Sequence, residues 1–385
     1  MADSMGASTG QPRFAAALAG GADWAEAAKA CLDRLPRLAG ATQGFLYVSD
    51  ALADQLGSIV TLFRGVSGVE HWVGTVGMGV CAIAGGEART LGGGPAVAAL
   101  IGRFPAGALR LLPSMTDGLD ALDEAATWLA LHRPTLALVH GNPNNGKLMD
   151  LVQGVAQRTG AYVVGGLTAG RGEPAQVAGR AVSTGGLSGL LVGAEVEVAT
   201  ALTQGCRPLG PAHTVTAADR AVIMELDGRP ALDVFRAEIG PDLAADLRRV
   251  AGPVTAALPV RGSDTGEYLV RDLMAIDPVR GWIAIAEGAE VGDTLLFCRR
   301  DRDAAAADMD RMLASLKRRL GGRTPAGALY LSCIARGPDS AGLLPDEVER
   351  IARVLGDVPL AGFYAAGELS NGRLHSYSGV LTLFL

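Results

Sequence analysis

The chain has 385 residues, is 49% hydrophobic and carries a formal net charge of −6 at pH 7. This length and apolar content predict large cores and about two or three domains. The acidic balance gives no electrostatic reason to bind nucleic acid or an anionic membrane surface. Apolar runs are short and broken by glycine, so we expect no membrane span.

The number and spacing of the cysteines indicate a reducing cellular compartment. They are odd in number and scattered along the chain, which is typical of thiols kept reduced. The N-terminus also lacks a basic segment followed by a long apolar run, so secretion is not expected. We therefore predict a cytoplasmic protein with five unpaired thiols, at Cys31, Cys81, Cys206, Cys298 and Cys333.

The first part of the chain contains a strand–helix–strand–strand pattern. Residues 1–11 are small and polar, which predicts disorder. After an amphipathic helix ended by Pro36, residues 44–48 form a predicted strand, followed by a helix that ends near Gly65. Two apolar runs, 72–76 and 96–101, then return as strands.

The same order recurs twice. After a linking helix at Leu119 to Leu129, a strand at 136–140, a helix ending at Gly160 and strands at 161–166 and 186–192 form a second copy. A third copy begins with a strand at 328–333. Its helix is followed by residues 359–385, which we interpret as a β-hairpin with a polar tip.

The intervening region, 195–324, is different. Alternating runs at 195–202, 222–226, 282–286 and 294–297 predict antiparallel strands, and 301–320 is the clearest helix. The pattern as a whole predicts a mixed α/β (α+β) protein. In it, repeated βαββ units form mixed sheets flanked by helices, in two closely packed domains.

Residues 141–148 come close to a phosphate-binding loop but lack two of its features. Leu148 stands where Ser or Thr would ligate magnesium, and Pro143 removes a backbone N–H from the cradle. We interpret the segment as a strand-to-helix turn. No His or Cys spacing typical of a metal site and no nucleophile elbow occurs in the sequence, so we expect neither metal nor cofactor.

The third copy carries side chains that its fold does not require. If its strand ends converge, Cys333, Arg336, Glu368 and His375 face one cleft, with Arg271 as a further cation. Arg336 would bind a carboxylate and Glu368 an ammonium group, which suits an amino-acid-like ligand. Alternatively, Arg336 and Glu368 satisfy buried turn amides or each other, and Cys333 is a small buried hydrophobe.

Two other functions remain open on the same residues. Cys333 as nucleophile with His375 as base would make a thiol enzyme, which requires a thiol of low pKa. A scaffold that pairs its hairpins with a partner protein would have a filled cleft and an exposed apolar patch instead. A ligand-binding protein without catalysis of its own ranks first, because of the βαββ copies, the Arg336/Glu368 pair and the absence of a catalytic motif in the sequence.

The sequence resembles the FIST family, named from F-box and intracellular signal transduction proteins, over nearly its whole length. Residues 12–206 resemble its N-terminal domain and 207–385 its C-terminal domain. Within the stretch 362–368, Tyr364 joins the predicted ligand-binding residues. The resemblance rests on short stretches in the same order and spacing, at 205–211, 214–216, 226–235, 271–277, 333–337, 362–368 and 375–378.

The resemblance implies an intracellular sensory module that binds small ligands such as amino acids and is coupled to signalling or ubiquitin-ligase parts. No F-box, kinase or receiver-like segment occurs within this chain, so we expect its output to pass through a separate partner or an oligomer. The first copy departs from the family's Ser-Thr-x-Gly-Glu pattern, having Gly-Thr-Val-Gly-Met-Gly at 74–79. We therefore expect the ligand at the third copy.

Overall fold

The structure is a computed structural model that describes residues 13–260, 267–337 and 344–385. The predicted disordered segment, 1–11, lies outside these residues. No described helix combines the length and the apolar content needed to cross a membrane.

The first unit begins with a strand followed by a capped helix, and it ends with a strand that returns into the same sheet. The Asp23 carboxylate accepts the Glu26 N–H at 2.9 Å, which satisfies an open donor at the start of this helix. Its elements are β1 (Phe14–Gly20), α1 (Trp24–Arg34), β2 (Gln43–Ser49), a 3-10 helix (Asp50–Gln55), α2 (Leu56–Ser67), β3 (His71–Gly77), β4 (Gly79–Ala84), β5 (Glu87–Gly92) and β6 (Ala96–Gly102).

The second unit repeats this order. Gly160 ends its main helix with a φ of 68°, a left-handed conformation that glycine adopts without strain. The predicted linking helix at 119–129 is instead two short helices that meet at Ala125. The elements are β7 (Leu109–Met115), α3 (Asp120–Glu124), α4 (Ala126–His132), β8 (Leu136–Gly141), α5 (Leu148–Thr159), β9 (Tyr162–Leu167), β10 (Gln176–Gly179), β11 (Ala181–Ser183) and β12 (Leu187–Val192).

The third unit is interrupted after its first strand, β13 (Val198–Thr203). The inserted elements are β14 (Arg207–Pro208), β15 (His213–Asp219), β16 (Val222–Leu226), β17 (Arg229–Pro230), α6 (Ala231–Ile239), α7 (Pro241–Ala244), a 3-10 helix (Leu247–Val250), β18 (Val254–Pro259), β19 (Tyr268–Asp277), β20 (Trp282–Ile285) and β21 (Thr294–Arg299). Strand β21 pairs with both β15 and β18, so β21, β15, β16, β20, β19 and β18 close into a ring. We call this insertion the barrel.

The chain then completes the third unit. Its long helix begins after Asp301, whose carboxylate accepts the Ala304 N–H at 2.8 Å, as the sequence predicts. The elements are α8 (Arg302–Leu320), β22 (Gly327–Cys333), a 3-10 helix (Ile334–Arg336), α9 (Glu347–Leu355), β23 (Leu360–Ala365), β24 (Glu368–Ser370), β25 (Arg373–His375) and β26 (Gly379–Phe384).

Each unit builds one sheet with the same strand order. Within the described residues the first sheet runs β1-β6-β2-β3-β10-β11, the second β7-β12-β8-β9-β24-β25 and the third β13-β26-β22-β23-β4-β5. In each, the two strands flanking the main helix are parallel and the return strand is antiparallel to the first of them. The predicted mixed α/β fold with repeated βαββ units is confirmed.

The hairpins are exchanged between the units. Hairpin β4–β5 of the first unit pairs with β23 of the third, β10–β11 of the second with β3 of the first, and β24–β25 of the third with β9 of the second. The interpretation of 359–385 as one hairpin is therefore wrong. Strand β26 pairs with β22, because the polar tip leaves its own sheet as a separate hairpin.

The sheets enclose a common core. Inward-facing side chains from all three sheets, including Tyr47, Leu138 and Phe363, form one buried cluster, and the helices cover the outer faces. A glycine recurs at one position of β3, β9 and β23. A Cβ at Gly74, Gly165 or Gly362 would lie 1.7–2.0 Å from a carbonyl oxygen of the neighbouring strand. Close strand approach therefore explains the repeated glycines.

Candidate functional site

The hairpin β24–β25 brings the predicted carboxylate and imidazole together. Its turn is Asn371-Gly372, and both residues have positive φ, 52° and 68°, as a two-residue hairpin turn requires. Glu368 and His375 are cross-strand partners, so their side chains are neighbours on one face of the second sheet. We call Glu368, His375, Cys333, Ser378 and Arg271 the inner cluster.

Glu368 is completely buried. Its Oε2 accepts the Ser378 hydroxyl at 2.6 Å and the Ser378 N–H at 3.3 Å. Among the described residues, Oε1 has no hydrogen-bond partner. Burial raises the pKa of Glu368 to about 8, although Ser378 and Arg336 oppose the shift. The carboxyl group is therefore mostly protonated at neutral pH and can donate through Oε1.

His375 is 2% exposed and is held in its neutral form. Burial, assisted by Arg271 and Arg373, lowers its pKa to about 4. The imidazole hydrogen-bonds to the Ser370 backbone, whereas Nε2 has no partner in the described part of the chain. Neutral His375 therefore presents Nε2 as an acceptor.

Arg271 reaches this cluster from the barrel. Its strand, β19, packs against β25. One terminal nitrogen of the guanidinium donates to the Val270 carbonyl and the other pairs with Glu287 at 2.6 Å. Nε is buried without a partner among the described residues. The predicted second cation thus lies beside His375 and retains one donor.

Cys333 ends β22 on the same inward face as Leu331, next to Glu368. Burial, assisted by the nearby Glu368 carboxyl, raises the pKa of the thiol to about 12. Little thiolate forms at neutral pH, so this environment does not activate a nucleophile. The side chain instead contributes a small apolar wall.

Arg336 points to the opposite face of the third sheet. Its guanidinium is fully buried, donates from Nε to Glu347 Oε1 at 2.7 Å, and makes a second contact with the same oxygen through Nη2. Glu347 also accepts the hydroxyls of Tyr330 at 2.9 Å and Ser332 at 2.6 Å. Tyr364 packs on this face too. We call these five residues the outer cluster.

The predicted site residues are therefore divided between two faces of one sheet. The inner cluster holds Glu368, His375, Cys333 and Arg271, and the outer cluster holds Arg336 and Tyr364. Glu347 is not among the residues that the sequence predicts for the site. Its spacing of four residues from Ile351 places it on the buried face of α9, and that pattern could have identified it as a buried partner.

Tyr377 connects the two clusters with the barrel. Its φ of 61° is left-handed, an unfavourable conformation for a bulky residue. The carbonyl accepts Arg336 Nη1 at 3.1 Å, and the hydroxyl donates to Asp272 at 3.0 Å. The Arg300 guanidinium lies 3.6 Å above the ring centroid. These contacts fix the backbone that places Ser378 on Glu368.

The repeats allow a direct comparison of equivalent positions. Val80, Gln176 and Glu368 each oppose the residue that follows the repeated glycine, on the hairpin strand added to a neighbouring sheet. Val80 is apolar. With its nitrogen oriented towards the Gly186 carbonyl, the Gln176 amide is partnered at both ends. Only at Glu368, among these three, does a buried polar atom lack a partner.

Comparison with known proteins gives two family matches. The FIST N domain model matches residues 42–229 and the FIST C domain model matches residues 231–371. The uncharacterized protein Rv0628c of Mycobacterium tuberculosis is 38% identical over 242 residues, which cover 59% of this chain and 61% of that protein. The uncharacterized protein Mb0898c of Mycobacterium bovis is 35% identical over 240 residues, with the same coverage. The chain thus spans about three fifths of the length of these curated relatives.

Proposed function

Because this chain belongs to the FIST family, whose domains are sensory domains of signal transduction, we propose that it binds a small amino-acid-like ligand at the inner cluster. The observation that carries the proposal is that three buried polar atoms of this one cluster, Glu368 Oε1, His375 Nε2 and Arg271 Nε, lack hydrogen-bond partners among the described residues. Buried polar groups are almost always hydrogen-bonded, so such a group calls for a partner.

The three atoms differ in charge and in whether they donate or accept a hydrogen bond. Arg271 Nε–H is a charged donor that suits a carboxylate, and neutral His375 Nε2 accepts a hydrogen bond. Glu368 Oε1 donates when protonated and accepts when ionised. A ligand that carries a carboxylate next to an amino group matches this set, because it offers both an acceptor and donors within a short distance.

The other predicted residues have supporting roles in this proposal. Cys333 lines the wall next to Glu368, and Arg336 positions the Tyr377–Ser378 backbone through its bond to the Tyr377 carbonyl. Tyr364 packs behind β23 with the outer cluster. The raised pKa of Cys333 and the lowered pKa of His375 both argue against a thiol nucleophile with a histidine base.

We further propose that the protein is cytoplasmic, has no catalytic activity of its own and passes its signal to a separate partner. The unpaired state of all five cysteines supports a reducing compartment. The hairpin that carries Glu368 and His375 belongs to the third unit but pairs with the second. Ligand contacts there would therefore affect two units at once.

Thermal unfolding with a panel of amino acids and related metabolites tests the proposal. A ligand that binds only the folded chain stabilises it by about 2.7 kcal/mol at one hundred times its Kd. For any compound that raises Tm, calorimetric titration gives the affinity. We expect Glu368→Gln to weaken binding by about tenfold or more, since the carboxyl group can ionise when the ligand's ammonium group binds beside it, whereas the amide cannot.

The matched control is Gln176→Met at the equivalent position of the second unit. It removes a buried polar group of similar size that has its partners within the fold, so we expect lower stability but unchanged affinity. A panel without any stabilising compound would contradict the proposal. Equal affinity of wild type and Glu368→Gln would contradict the assignment of the site.

A further inference from the structure

Two of the thiols are adjacent although they are 92 positions apart in the sequence. Cys206 immediately precedes β14, and Cys298 lies opposite Pro208 in the register of β14 with β21. The two thiols hydrogen-bond to each other and share a buried cluster with Tyr268. The Tyr268 hydroxyl donates to the Cys206 carbonyl at 2.6 Å, which fixes the backbone at this point.

The remaining thiols have different surroundings. Cys31 and Cys81 belong to separate cores, and Cys333 lies in the inner cluster. Burial raises the pKa of each of these three thiols. The pKa of Cys206 is lowered, because its hydrogen bond with Cys298 outweighs its burial. Cys206 is thus the thiol most readily converted to the reactive thiolate.

We propose that Cys206 and Cys298 form a redox-modification site, where a peroxide converts the paired thiols into a reversible disulfide. The Cys206 thiolate attacks one oxygen of hydrogen peroxide, the O–O bond breaks and hydroxide leaves, which takes up the proton that Cys206 released, so a sulfenic acid and water are formed. The hydrogen bond with Cys206 and burial raise the pKa of Cys298, and oxidation of Cys206 removes the part of this shift that comes from the Cys206 thiolate. The Cys298 sulfur then attacks the sulfenic sulfur, the S–S bond forms, and the sulfenic hydroxyl leaves as a second water with the Cys298 proton. The peroxide is reduced and the two thiols are oxidised. This proposal does not depend on the ligand proposed above.

The disulfide would act on the segment before β14. Asp308 accepts the Thr203 hydroxyl at 2.7 Å and the Gln204 N–H at 2.6 Å, so the segment is anchored on one side. Gly205 packs against Arg336 so closely that a Cβ there would lie 2.3 Å from Nη1. A disulfide requires the sulfur atoms to lie about 2 Å apart. Their approach would therefore move the backbone against Arg336.

Thiol mapping on the full chain tests the proposal. The protein is treated with hydrogen peroxide at near-stoichiometric concentration, alkylated, digested and analysed by mass spectrometry. We expect a mass loss of about 2 Da, a Cys206–Cys298 cross-linked peptide, and reversal by dithiothreitol. In the same sample, Cys206 should be oxidised at least about tenfold faster than Cys31.

Variants separate the two steps. Cys298→Ala removes the resolving thiol, so we expect a Cys206 sulfenic acid that dimedone traps and no cross-link. Cys31→Ala, a buried cysteine in another core, should form the disulfide as the wild type does. If Cys298→Ala does not fold, the presence or absence of the cross-linked peptide in the wild type decides whether the proposal holds. A wild type that keeps all its thiols, or one whose disulfide joins other cysteines, would overturn the proposal.

Discussion

At the scale of single residues, Glu368 and His375 titrate in opposite directions. Glu368 has its pKa raised by burial from 4.5 to about 8, so the folded chain binds more protons than the unfolded chain between these values. Its contribution to stability falls as the pH rises through that window. His375 has its pKa lowered from 6.5 to about 4, and its contribution falls as the pH drops from 6.5 towards 4.

The first prediction follows from Glu368. We expect Glu368→Gln to become progressively more stable than the wild type between pH 6.5 and 8.5. The difference should reach roughly 2–4 kcal/mol, because the amide keeps an acceptor for Ser378 but never ionises. Urea unfolding across this range measures it, and the titration of His375 is common to both proteins and cancels in the difference. Glu87→Gln, at an exposed strand position, is the control and should show no such trend. A constant difference for Glu368→Gln would contradict the raised pKa.

Arg336 and Glu347 form a buried ion pair that the sequence did not reveal. Removing one partner of such a pair costs about 3–5 kcal/mol, because a buried charge is left without compensation. We predict that Glu347→Gln is strongly destabilised in urea unfolding. The double variant Arg336→Met with Glu347→Gln should be more stable than that single variant, because neither charge remains.

The coupling energy between Arg336 and Glu347 is the critical measurement. It is obtained from a double-mutant cycle of the wild type, the two single variants and the double variant. Tyr330 and Ser332 donate to different oxygens of Glu347, so one of these hydroxyls must accept from the amide of the Glu347→Gln variant instead. This change is the same in the single and the double variant and cancels in the cycle. Strictly additive effects would show that Arg336 and Glu347 do not stabilise each other.

At the scale of elements, the hairpin β24–β25 determines where the inner cluster lies. Its turn has left-handed backbone at Gly372, with a φ of 68°. We predict that Gly372→Ala destabilises the hairpin by about 1 kcal/mol, because a Cβ is disfavoured in this conformation. Hydrogen exchange at the amides of β24 and β25 should accelerate by about fivefold.

A helical glycine provides the control for this variant. Gly65 lies in α2 with open space around its Cα, so Gly65→Ala should stabilise the chain by up to about 1 kcal/mol. Exchange in β24 and β25 should not accelerate in that variant. If Gly372→Ala left the exchange of both strands unchanged, the turn would not control the hairpin.

At the scale of the whole molecule, hairpin exchange joins the units into one assembly. The second sheet contains β24 and β25, and the third contains β4 and β5, so neither is complete without a distant part of the chain. The sequence predicts a domain boundary between residues 206 and 207. That boundary stays a prediction. Because hairpins are exchanged across it, an experiment can test whether the part of the chain before the boundary folds by itself.

We predict that residues 12–206 do not fold when expressed alone. The fragment lacks β24–β25 and half of the third sheet, the strands β22, β23 and β26, which leaves the edge of β9 unpaired and the common core open to water. Circular dichroism and thermal unfolding compare it with the full chain. A fragment that unfolds cooperatively with a Tm near that of the full chain would show that the first two units are self-sufficient.

The sequence predicts the local elements well because their signals are local. Hydrophobic periodicity and end residues locate α8 within one residue, and the repeated strand–helix order predicts the βαββ units. Asn371-Gly372 is a short-range hairpin signal of the same kind. Which sheet receives the hairpin is not encoded locally, because an edge strand can pair with any suitable edge.

In the inner cluster, too, some features follow from the local sequence and others from tertiary contacts. The sequence by itself determined that Glu368 and His375 are side chains that the fold does not require, carried on the last unit of a repeated α/β chain. Only the tertiary structure decided that Ser378 satisfies one oxygen of Glu368, that Arg271 arrives from the barrel, and that Glu347 binds Arg336 on the other face. Burial and partner choice depend on contacts between distant segments, and the hairpin exchange that creates them is a property of the whole core.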